Sequence, residues 1–233
     1  MGFSDSHHLR KTVAGACMLL APLVFLVAFV VSPRLETDAG KQLSVATGHA
    51  DRFYLANLLA LIGLMLVVPA VLGVMHMLRE RQPAYSGLGG ALTLIGVFAS
   101  MVGQGVALVI WQMAHHGGAS AANTSVVHGV LHDAGTVVPI YVLGYVGVLG
   151  VVVLAAGLYL ARVVDWWMAL FFAAGVVCIN VAFPAAALWL AIVGSALMVV
   201  GLGSMGLMVL RESDADWEHT PDYRGLRPAT GVS

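Results

Sequence analysis

The chain has 233 residues, of which 60% are hydrophobic and only 10% are charged, with a mean hydropathy of +0.91. Soluble domains carry about 25% charged residues, and 23 charges cannot solvate the surface of a soluble fold of this length. The net charge of −1 and the lack of a basic run or of basic-aromatic interleaving exclude a nucleic-acid partner.

Six apolar stretches follow one another along the chain: Val13 to Val31, Phe53 to Leu78, Leu88 to Met113, Thr136 to Ala161, Trp166 to Phe183, and Ala185 to Leu210. None contains Asp, Glu, Lys or Arg. Crossing a hydrocarbon core of roughly 30 Å takes about 20 helical residues, so each stretch is read as a transmembrane helix. A barrel is excluded because ten-residue alternation is absent. The fold class is therefore all-α, a polytopic integral membrane protein with a six-transmembrane-helix bundle. The lipid bilayer is its first partner, with room for a membrane-protein partner or a homo-oligomer. The last two spans are joined by a tight hairpin at Pro184.

The domain reading is an N-terminal tail over 1–12, a membrane domain over 13–210, and a disordered polar tail over 211–233. The first span has a basic flank, Arg10-Lys11, but no small-residue cleavage site follows it, so it is read as retained. Six spans place both termini on one side. Eight Lys and Arg fall on that side against three, Arg34, Lys41 and Arg52, on the other. By the positive-inside rule both termini are expected in the cytoplasm. Richness in Ala, Val and Gly, with nine arginines to two lysines, suggests a bacterial source and hence an inner membrane as the location.

Nine histidines are many for a chain so poor in charge, and five lie on the outer side: His49, His115, His116, His128 and His132. His128 and His132 stand at i, i+4, one face of a helix that Thr124 or Ser125 would cap, with Asp133 adjoining. Imidazole suits Zn, Cu or Fe, and haem iron takes axial histidine from facing helices. The metal-site expectation therefore comprises His128, His132, His115, His116, His49 and Asp133. Against it, the pair lacks the Glu of a zinc-protease motif, and Gly129 weakens the helix between the two.

The polar residues within spans also lean outward: Asn57, Gln104, Gln112, Tyr141, Tyr145 and Asn180. They suggest a pocket that opens on the outer face and is floored near Gln104. A stripe of small residues, Gly89, Thr93, Gly96, Ser100, Gly103 and Ala107, makes the third span central in the bundle. No phosphate-binding loop, nucleophile elbow or kinase signature is present, so an enzymatic role has no motif behind it. Two readings follow. One is a structural or accessory membrane protein. The other is a metal- or haem-binding protein, redox-active or hydrolytic, with a histidine-rich site at the extracytoplasmic face.

Overall fold

A computed structural model describes residues 3–217. Among these residues the secondary structure is entirely helical: α1 (Phe3–Val31), α2 (Ala39–Gly48), α3 (Ala50–Leu78), α4 (Pro83–Gly117), α5 (Ala121–His132), α6 (Ala134–Val137), a π-turn (Val138–Val142), α7 (Leu143–Ala161), α8 (Trp166–Ala182), α9 (Leu188–Arg211) and α10 (Asp214–Trp217). Five helical stretches are long and apolar enough to cross a membrane: α1, α3, α4, the run Ala134–Ala161, and α9. The fifth expected span is shorter than predicted. α8 has 17 residues, about 25 Å at 1.5 Å per residue, against a core of roughly 30 Å. Its chain leaves the helix at Phe183 and turns through Ala186, whose φ of 48° lies in the left-handed region, before α9 begins.

The helices close into a ring, α1–α3–α4–α7–α8–α9 and back to α1, each packed on its two neighbours. Small residues let the backbones approach. A Cβ on Gly96 would lie 2.3 Å from Cα of Gly147 across the α4–α7 seam, and one on Gly175 would lie 2.6 Å from the carbonyl oxygen of Gly194 across α8–α9. Large apolar residues point away from the ring. On α4, Leu88, Ile95, Val102 and Val109 recur every seven residues and all are exposed. So continuous an apolar exterior is what lipid tails solvate and water does not.

The ring has two unlike ends. One holds the start of α1, the α3–α4 and α7–α8 turns, and α10. There, basic side chains reach helix carbonyls: Arg81 donates from Nη1 to Ala161 O at 2.9 Å, and Lys11 from Nζ to Glu212 O at 2.7 Å. Such donors satisfy the C-terminal carbonyls that an α-helix leaves unpaired. At the start of the segment read as a polar tail, α10 packs on α1; residues 218–233 lie outside the described residues.

The opposite end is covered by α2 and α5, which pack on each other and on α4. Asp38 caps α2 by accepting from Lys41 N at 2.9 Å. Ser120, rather than Thr124 or Ser125, caps α5, accepting from Asn123 N at 3.2 Å. Leu43, Phe53, Ile110 and Val127 form a small core beneath this cover.

Candidate functional site

The histidines expected on the outer side do not form one cluster. His49 lies exposed at the α2–α3 junction, where it ends one helix and begins the next. His115 and His116 end α4, with ring centroids 5.3 Å apart and planes nearly perpendicular. His115 also stacks on Trp111 at 5.5 Å, and Trp111 meets Tyr54 at 4.7 Å with the two planes tilted by 42°. His128 and His132 do share a face of α5, but their rings stack at 4.1 Å with planes 21° apart. Stacking sends their in-plane lone pairs side by side rather than toward a common point. His132 Nδ1 is further occupied, donating to His128 O at 2.9 Å, which leaves only Nε2 as an acceptor. Asp133 is exposed at the α5–α6 junction, its carboxylate folded toward Gly129. Among the described residues no group of three or more His, Cys, Asp or Glu side chains is placed to hold a metal ion.

The polar residues of the spans are arranged differently. The ring encloses a cavity of about 660 Å³ that all six of its helices line. Asn57 of α3, Gln104 of α4, Tyr141 of the π-turn, Tyr145 of α7 and Asn180 of α8 all contribute to its wall, together with His132. Gln112 does not; it is exposed, one turn from the end of α4. The space exists because the residues facing it are small. Ala56, Ala60, Gly96, Ser100, Gly103 and Gly147 all lie on the wall.

The cavity is polar at one end and apolar at the other. Its mouth, at the end covered by α2 and α5, carries Arg34, Glu36, Gln42 and His132. Below the mouth Asn57 donates from Nδ2 to Phe53 O at 2.7 Å and Asn180 to Val176 O at 2.9 Å. Each amide keeps its oxygen and second hydrogen for another partner. The Oε1 atoms of Gln42 and Gln104 are buried and have no hydrogen-bond partner. An unmet buried acceptor costs about 1–3 kcal/mol, so both are placed to receive a donor from an occupant. The floor lies deeper than Gln104 and is apolar: Val71 and Val74 of α3, Val151 of α7, Phe172 of α8 and Leu202 of α9. From Asn57 to Val74 the wall runs about 25 Å along α3. Thr93 and Ser100 are the hydroxyls of this lower half, and both are spent on carbonyls one turn back, Gly89 O and Gly96 O.

Sequence reasoning missed Gln42, because the stretch between the first two spans received no helix assignment. The signal was present in Asp38 followed by Ala39, Leu43 and Ala46, an N-cap and an apolar face at i, i+4, i+7. It also missed the ring closure that makes a cavity from small residues. No family model, curated protein or solved structure matches the chain.

Proposed function

We propose that this chain is a six-span inner-membrane protein of accessory, non-catalytic type, with both termini in the cytoplasm, whose central cavity holds an uncharged amphiphile from the extracytoplasmic side. The carrying observation is the amphipathic wall: a hydrogen-bonding mouth, with two unpartnered amide oxygens, over an apolar floor. Binding pockets of a few hundred Å³, mostly apolar with a few placed polar groups, are the ordinary form of a small-molecule site. Only Arg34 and Glu36 bear formal charge on the wall, and they cancel, so the head group is neutral. Hydroxyl or amide N–H groups on it would meet Gln42 and Gln104. Ion coupling is disfavoured because the spans carry no charge. The eight-to-three distribution of Lys and Arg supports the orientation, and the turn at Phe183–Ala187 supports a sixth crossing by α8. The stacked His128 and His132 rings speak against the metal reading.

A monoacylglycerol bearing a fluorescent anthroyloxy group on its chain tests this. Energy transfer from the protein's tryptophans should saturate near one probe per chain in detergent. Ser100→Phe, which fills the middle of the cavity, should lower affinity more than tenfold. Gln104→Leu should lower it three- to tenfold, about 1 kcal/mol for one hydrogen bond. Elemental analysis and the visible spectrum of the same preparation address the alternative. Unsaturable transfer, together with a stoichiometric metal or a Soret band, would overturn the proposal in favour of the histidine site.

A further inference from the structure

The six seams of the ring are not equally closed. Between α7 and α8 the packed part lies at the floor, where Leu154, Leu158 and Ala161 join Ala169 and Phe172 in one core. Toward the mouth the two sides part. Gly144, Tyr145 and Val148 line the cavity from α7, and Val176, Ile179 and Asn180 line it from α8. Above α7 the π-turn packs on α4 and on its neighbours in the chain.

The residues bordering this gap face both ways. Tyr141, Tyr145 and Phe183 line the cavity and are 38%, 45% and 42% exposed, and Tyr145 shares a helix face with Leu149 and Val152, exposed residues that do not line the cavity. A side chain that borders both an interior space and the outside stands in an opening between them. The chain is also locally irregular here. Pro139 lacks an N–H, and the backbone widens into a π-turn over Val138–Val142 before the regular helix resumes. Facing it, Pro184 and the left-handed Ala186 end α8 short of a full crossing. Both walls of the gap are thus built from interrupted helix. At Gly144, between the two tyrosines, a Cβ would meet nothing within 4 Å.

We propose that this gap, between the π-turn with the start of α7 and the upper half of α8, is a lateral portal through which the amphiphile enters from the outer leaflet of the bilayer. This rests on the reading of the cavity as an amphiphile site. It adds the source of the ligand: a lipid already dissolved in the membrane, delivered chain first past Tyr145 and Phe183, rather than a solute arriving through the axial mouth. The tyrosine hydroxyls at the portal suit the head group, which must pass the level of the interface while its chain exchanges one apolar surrounding for another.

Full-length protein in phosphatidylcholine vesicles is mixed in stopped flow with the anthroyloxy monoacylglycerol, and uptake is read as the slow rise of energy transfer after the probe enters the bilayer. Gly144→Trp should slow that phase at least tenfold. Val102→Trp, which adds the same bulk to the lipid-facing side of α4, should not. Tyr145→Cys, in a chain with Cys17 and Cys178 replaced by Ser, separates obstruction from misfolding. Attaching a bulky methanethiosulfonate to the folded protein should slow uptake, and reduction should restore it. A rate that responds to Gln42→Trp at the mouth but not to Gly144→Trp or to the thiol adduct places entry on the axial route. That result overturns the portal and leaves the cavity reading standing. Absence of any saturable transfer in the unmodified protein overturns both.

Discussion

The imidazole of His76 lies flat against the indole of Trp217, ring centroids 4.4 Å apart, and its Nε2 donates to the Trp217 carbonyl at 2.9 Å. The other nitrogen, Nδ1, accepts from Arg79 Nη1 at 3.1 Å. A histidine one turn from the end of α3 thus fastens a segment 141 residues away in sequence. Removing the indole should release that segment. Trp217→Ala should cost about 1–2 kcal/mol of local stability, from the lost ring contact and the lost burial of the indole; the His76 bond goes to the backbone carbonyl, which alanine keeps. Hydrogen exchange at the amides of residues 212–217 should quicken roughly tenfold, while α9 keeps its protection. His76→Phe, which retains a ring but loses the donor, should fall between the two. Exchange at 212–217 that ignores both changes would show that this stack does not hold the segment.

Acid should loosen the same attachment. Asp214 is hydrogen-bonded by the Lys11 ammonium, and His8 Nδ1 lies 3.0 Å from its Oδ2. These partners, Lys11 first, hold the carboxyl below its ordinary value of 3.8. A carboxyl depressed in the folded state binds fewer protons there than in the unfolded chain. Its contribution is therefore complete above the ordinary value and is lost as pH falls through the depressed one. The protection of the 212–217 amides, taken as exchange relative to the intrinsic rate at each pH, should be level from pH 7 to about 5 and fall below about 4. In Asp214→Asn the acid step should vanish, with fast exchange throughout. An acid step of unchanged size in Asp214→Asn would assign the transition to another group.

The glycines of the span seams are not interchangeable. A methyl on Gly147 would sit 2.6 Å from Cα of Gly96, a backbone atom that no rotamer change can move. Gly96→Ala and Gly147→Ala should each cost about 1–3 kcal/mol as α4 and α7 are forced apart. Gly105, on the same helix, has nothing within 4 Å of its would-be Cβ. There Gly105→Ala should be neutral or stabilise by about 0.4–1 kcal/mol, because it restricts the unfolded chain. Unfolding in detergent titrated with dodecyl sulfate measures both. Equal responses at positions 96, 147 and 105 would contradict the seam.

Membrane character was legible in the sequence because it is a sum over local composition: runs of about 20 apolar residues have one economical structure in hydrocarbon, whatever surrounds them. The ends of α1 and α3, at Val31 and Leu78, were read at the residue for the same reason, since Ser32-Pro33 and Arg79-Glu80-Arg81 are local stop signals. The short α8 was harder. Pro184 marks a turn in the chain, but the helix stops at Ala182 and α9 starts only at Leu188, a spacing that the apolar run through Ala187 conceals.

Which polar residues meet was decided by tertiary structure alone. His128 and His132 stand at metal-ligand spacing, yet spacing specifies a shared face and not the direction of a lone pair, and the two rings stack. Gln104 and Gln112 are two turns apart on one helix, and only Gln104 looks into the ring, because α4 follows its neighbours over part of its length and ends beside solvent. Asn57, Gln104, Tyr145 and Asn180 come from four helices. No periodicity along one of them states that the ring will close around small residues and leave space between. The composition of each helix determined that this protein is solvated by lipid; the cavity is a property of six helices together, set by which faces lack side chains long enough to fill it.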